Sequence, residues 1–91
     1  MGYIYILTAP NGKSYVGQTR RHPEKRLQEH AKFGGARVIH HAINKYGVDN
    51  FDVDWIEVPD DELDAYEVKI IAKLDSMVPN GYNLTSGGVM R

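Results

Sequence analysis

GYIYILTAPNGKSYVGQ, residues 2–18, decides the fold. Its first seven residues are mostly β-branched or aromatic and predict a strand over 2–8. Pro10 suits the second position of a type I turn, and Gly12 suits the left-handed bulge that follows. Residues 14–18 (SYVGQ) then form the returning strand. A three-residue loop at Pro10-Asn11-Gly12 pairs Leu7 with Tyr15 and Tyr5 with Gly17. Tyr3, Tyr5 and Tyr15 therefore share one face of the hairpin, while Ile4, Ile6 and Val16 occupy the other. A two-residue Asn-Gly turn would instead set Tyr5 and Tyr15 on opposite faces.

Outward from the hairpin, Pro23 fits the first turn of a helix that runs to about Phe33 and stops at Gly34-Gly35. Arg26 and His30 stand one turn apart on it. A second helix is predicted over 36–46, ending at Gly47, with Val38, Ile39, Ala42, Ile43 and Tyr46 as its apolar stripe. His40 lies at the edge of that stripe, and His41 points to solvent. Residues 50–58 alternate Phe51, Val53 and Trp55 against Asp52 and Asp54, which predicts a third strand with one wet face. Asp60-Asp61-Glu62 opens a third helix ending near Leu74, with Leu63, Tyr66, Ile70, Ile71 and Leu74 as its stripe. Residues 79–91 read as loop and tail. The expected architecture is α+β, a three-stranded, mainly antiparallel sheet flanked by three helices in the order ββααβα.

The 91 residues support one compact domain over 1–91, with 85–91 reading as the start of a linker. The absence of cysteine removes disulfides, Cys-ligated zinc, iron–sulfur clusters and thiol nucleophiles. Apolar runs of a few residues exclude a membrane-spanning helix and a secretory leader, so an intracellular, cytoplasmic protein is expected. The net charge of −1 hides a division along the chain. Residues 1–46 carry eight Lys/Arg against two acids, a net of +6, and all four histidines. Residues 47–91 carry three Lys/Arg against ten acids, a net of −7. A basic face made by the first half is one consequence, and nucleic acid is its commonest partner. Pairing of the two halves across the fold is the other.

Glu67 is the most telling single residue. On the third helix it projects about 40° from Leu63 and about 60° from Ile70, inside the apolar stripe. A carboxylate aimed at the core is costly unless it is paired or meets a cation. A salt bridge to a core-facing Arg or a hydrogen bond from a tyrosine would satisfy it equally well. Taken singly, the other candidates have bland readings. Paired strand tyrosines are usually core packing, Arg26 and His30 a solvated helix face, and Asn83 a turn residue bonded to its own backbone. A zinc site from His30, His40 and His41 is disfavoured, because His41 faces away from His40.

Joint occurrence changes this. Tyr3-Ile4-Tyr5, then Tyr15-Val16-Gly17, Arg26-x-x-x-His30, Glu67 and Asn83, in that order, resemble the GIY-YIG nuclease domain. The resemblance runs from about Tyr3 to Gly88 and includes Pro10-Asn11-Gly12-Lys13, AINKYG at 42–47 and GYNLTSGG at 81–88. One departure is visible: Tyr3 stands where the family's first motif begins with Gly, while the hydroxyl-bearing Tyr5 is retained.

The resemblance implies a metal-dependent DNA endonuclease domain. Glu67 would be the single protein carboxylate for one Mg²⁺ or Mn²⁺ ion per active site, an ion that takes oxygen ligands and keeps most of its waters. Arg26 would hold the non-bridging phosphate oxygens with its fork. One of Tyr5 and Tyr15 would be the general base and the other would orient phosphate. A phenol titrates near pH ~10, so a neighbouring cation would have to lower that value. His30 and His40 would hold a tyrosine hydroxyl or a phosphate oxygen, and Asn83 would close the site from the C-terminal loop. Lys13, Arg20, Arg21, Lys25 and Lys32 would contact the backbone of double-stranded DNA, adding affinity with little sequence readout. Phage and intron homing endonucleases carry such a domain ahead of a separate DNA-binding region, which the isolated domain, expected as a monomer, would lack. A catalytically silent nucleic-acid-binding domain of the same fold is the alternative.

Overall fold

A computed structural model describes residues 1–20, 22 and 37–84 of the chain. Strand β1 (Gly2–Thr8) leads through a tight turn into β2 (Ser14–Thr19). Helix α1 (Arg37–Tyr46) follows, then a 3-10 turn (Val48–Asn50) and β3 (Asp52–Val58). A second 3-10 turn (Asp60–Glu62) runs into α2 (Leu63–Leu74). The sheet has the order β2-β1-β3, with both pairings antiparallel. The described order is therefore ββαβα, an α+β fold with two helices. The helix predicted over 23–33 lies outside the described residues, and Arg21, Lys25, Arg26, His30 and Lys32 lie there with it. Residues 85–91, read as the start of a linker, lie outside them as well.

The hairpin has the three-residue loop, and with it the predicted register: Tyr5 faces Gly17 and Leu7 faces Tyr15. The Ala9 amide donates to the Lys13 carbonyl and the Gly12 amide to the Ala9 carbonyl, each at 2.9 Å. Gly12 sits at φ +87°, the left-handed conformation that a residue without Cβ adopts at least cost. Asn11 Oδ1 accepts from the Lys13 amide at 2.9 Å and closes the turn.

Alternation along β1 then builds two cores. On one face Tyr5 and Leu7 pack with Ile39, Ala42 and Ile43 of α1, and with Phe51 and Tyr82. On the other Ile4, Val16 and Val58 pack with Leu63 and Ile71 of α2. Helix α1 buries the stripe that its sequence predicts and stops at Gly47.

Two stripes differ from expectation. β3 is an edge strand in which only Val58 is buried and Val53 half-buried. Trp55 on its predicted dry face remains 39% exposed, because the sheet ends there. On α2, Tyr66 and Leu74 are exposed and only Leu63, Glu67 and Ile71 are buried. This helix packs over β2 and β1, and it meets them along the line of i, i+4 and i+8 positions at 63, 67 and 71. The segment after α2 is not free loop either. Met77 bridges to Asn83, and the Tyr82 amide donates to the Ser14 carbonyl at 2.9 Å. Among the described residues no helix is long and apolar enough to cross a membrane.

Candidate active site

β2 positions the candidate residues on both sides of the sheet. Its odd-numbered side chains face α1 and its even-numbered ones face α2. On the α1 side the Tyr5 and Tyr15 rings lie with centroids 6.2 Å apart, tilted by 43°. Tyr5 is only 1% exposed and Tyr15 is half-buried. The Tyr5 ring crosses directly over Gly17, where any Cβ would overlap the ring and its hydroxyl. Gly17 thus has a packing reason: it stands opposite Tyr5, as the predicted register has it, and leaves room for the ring.

On the α2 side Glu67 is 8% exposed, on the line between Leu63 and Ile71. Gln18 Nε2 donates to Asp64 Oδ1 at 2.7 Å and to Glu67 Oε1 at 3.3 Å. Two carboxylates one helical turn apart therefore converge on a single amide from β2. The predicted burial of Glu67 holds. Gln18 and Asp64 are not among the predicted site residues, although a polar residue at position 18, on the face of Ile4 and Val16, is a signal in the period-two pattern.

Asn83 is 6% exposed and acts on the backbone of β2. Its Oδ1 accepts from the Val16 amide at 2.9 Å and from Ser76 Oγ at 2.8 Å. Its Nδ2 donates to the Val16 carbonyl at 2.8 Å. One side chain thus supplies the donor and acceptor that a neighbouring strand would have offered to this edge. Asn83 is a positioning residue for the strand that carries Tyr15 and Gly17. It does not bond its own turn.

His40 is half-buried on α1, with Asn44 Nδ2 donating to its Nε2 at 3.1 Å, and His41 is exposed beside it. Lys13 and Arg20 are exposed. Arg20 Nε comes within 3.9 Å of Asp60 Oδ1, which also takes the Met1 ammonium at 3.4 Å. These two ion pairs join the basic first half of the chain to the acidic second half. Tyr3, at the motif's departure, continues the regular ladder opposite Thr19 and Glu57. Its ring lies 5.9 Å from that of His22, which meets Trp55 edge-on at 4.9 Å. Among the described residues no three His, Cys, Asp or Glu side chains gather as a metal cage.

The family model of the GIY-YIG catalytic domain matches residues 1–83. No curated protein and no solved structure matches the chain.

Proposed function

The chain belongs to the GIY-YIG catalytic-domain family, whose members are nucleases, and we propose that it is a divalent-metal-dependent DNA endonuclease domain. The observation that carries this reading is Glu67, a carboxylate in the apolar line of α2, tied by Gln18 to the strand that also carries Tyr15. The donor set suits Mg²⁺ or Mn²⁺: one buried carboxylate with a second, Asp64, beside it offers hard oxygen ligands and leaves other positions to water. When bound, such an ion neutralises charge on the scissile phosphate and eases departure of the 3′ oxygen.

Glu67 holds the ion, and Gln18 fixes the carboxylate that does so. Burial separates the roles of the tyrosines. Half-buried Tyr15 has the surface to meet water or a phosphate oxygen, and Tyr5, enclosed behind it over Gly17, holds its ring in place. Arg26, with a fork that stays charged, clamps the non-bridging oxygens, and His30 and His40 orient a hydroxyl or a phosphate oxygen. Lys13 and Arg20, together with Arg21, Lys25 and Lys32, draw the backbone of duplex DNA.

A plasmid-nicking assay with Mg²⁺ and with chelator tests the reading, using wild type and Glu67→Gln. Wild type should nick only with metal. Glu67→Gln should lose cleavage and, in chelator, melt at or above the wild-type temperature, because the substitution removes a buried charge. Wild-type-like nicking by Glu67→Gln would sink the assignment. Binding without cleavage in wild type would leave the catalytically silent alternative.

A further inference from the structure

Three runs singled out in the sequence meet on the α1 side of the hairpin, on the opposite face of the sheet from Glu67: Pro10-Asn11-Gly12-Lys13, the AINKYG run at 42–47, and Gly81-Tyr82-Asn83. Side chains from all three line one open cleft of about 270 Å³ between the hairpin loop and α1. Its floor is apolar: Val38 and Ala42 of α1, with Tyr46 and buried Tyr82. Exposed Lys13, His41 and Lys45 stand around it, and among the described residues no acid lines it. The Lys45 ammonium lies 5.3 Å from the centroid of the Tyr46 ring.

The cleft is held open by Asn11. Its Nδ2 donates to Tyr82 Oη at 3.0 Å and to Tyr46 Oη at 3.3 Å, while its Oδ1 accepts from the Lys13 amide at 2.9 Å. One side chain thus ties the loop, α1 and the C-terminal segment together and fixes the aromatic floor before anything binds. Such preorganisation removes part of the ordering cost of binding.

An apolar aromatic floor beneath lysines matches a nucleotide: stacking for a base, cations for its phosphate. A bare anion would have no use for the floor, and a neutral apolar molecule none for the lysines. We propose that this cleft takes one nucleotide of a DNA strand, away from the scissile bond, with Lys13 and Lys45 on its phosphate. The identity of that strand as the substrate rests on the nuclease reading. The binding itself does not.

The test is binding of a fluorescently labelled duplex in chelator, where cleavage cannot intervene. Lys13→Ala/Lys45→Ala should weaken binding about tenfold or more at moderate salt. It should also make the log–log salt slope shallower by about 2, one for each lysine taken off the phosphate backbone. Lys69→Ala/Lys73→Ala on α2 should leave the slope unchanged. In NMR titrations, a short oligonucleotide should shift the Tyr46 and Tyr82 ring resonances. Inorganic phosphate at the same concentration should leave those rings in place. An unchanged slope in the Lys13/Lys45 variant, or rings that respond to phosphate alone, would overturn the proposal. Failure to nick DNA in Mg²⁺ with the slope effect intact would fault the nuclease reading and spare the cleft.

Discussion

The two faces of the sheet bury their polar atoms by different means. On the α1 side those atoms are phenol hydroxyls, carried into the core by the rings of Tyr5 and Tyr82. On the α2 side it is a carboxylate, Glu67, on the buried line between Leu63 and Ile71. A phenol enters an apolar core at small cost, since most of its surface is apolar. A carboxylate does not, and its place in the core needs a specific partner. The contrast sets the buried charge on the α2 side and the paired tyrosines on the α1 side. β2 is the element they share, because Tyr15 and Gly17 face one side while Val16 and Gln18 face the other.

The sharpest way to break this comparison is to loosen β2 itself. Asn83→Ala would strand the Val16 amide, the Val16 carbonyl and the Ser76 hydroxyl without their partner in a buried place. Each buried group left unpaired costs about 1–3 kcal/mol, so a loss of about 3–5 kcal/mol is expected from urea titration. Both faces should suffer together, the tyrosine packing and the Gln18–Glu67 hydrogen bond melting in one transition. Asn83→Asp keeps the acceptor but sets a buried carboxylate oxygen against the Val16 carbonyl, and should cost at least as much. A loss below about 1 kcal/mol for Asn83→Ala would mean that β2 is held from elsewhere.

A smaller effect confined to one face comes from Gly17→Ala. The new methyl group would occupy the space of the Tyr5 ring, and overpacking of that kind costs about 1–3 kcal/mol. Near-ultraviolet circular dichroism should report the displaced tyrosine, while the α2 side, with Val16 and Gln18 unmoved, should keep its packing. Wild-type stability in this variant would show that the Tyr5 ring can rotate away freely.

These residues also show which features a sequence makes legible. The hairpin register was legible, because Pro10-Asn11-Gly12 permits one loop length that keeps Tyr5 and Tyr15 on one face. Glu67 was legible because a charge inside a 3.6-residue stripe breaks a pattern. The wet edge at Trp55 was not, since alternation gives the faces of a strand but not its rank in the sheet. The exposure of Tyr66 and Leu74 was hidden for a related reason, as helical periodicity gives the direction of an apolar stripe but not how wide a face its neighbours cover. The sequence suggests a turn residue or a site residue at Asn83. Its pairing with Val16 spans 67 positions, a separation at which local propensity is silent. The cleft around Asn11 was invisible for the same reason, although each of the three runs that line it stands out in the sequence.

The smallest expected change in stability is the most informative for the comparison. Gln18→Leu removes the amide that Asp64 and Glu67 share and replaces it with a residue suited to the neighbouring Ile4 and Val16. The lost hydrogen bonds and the added apolar burial oppose each other, so stability in chelator should move by only about 1 kcal/mol. The metal response should move further. A side chain that orients a ligating carboxylate is worth about 10–100-fold in metal affinity or activity, so half-maximal nicking should require correspondingly more Mg²⁺. A double-mutant cycle with Glu67→Gln separates the two effects. If Gln18 acts through the Glu67 carboxylate, its substitution should cost nothing further in cleavage once Glu67 is Gln, and the two stability changes should fail to add. An Mg²⁺ titration that stays at the wild-type midpoint in Gln18→Leu would cut the link from β2 to Glu67. The α2 side would then hold its carboxylate independently of the strand that carries Tyr15.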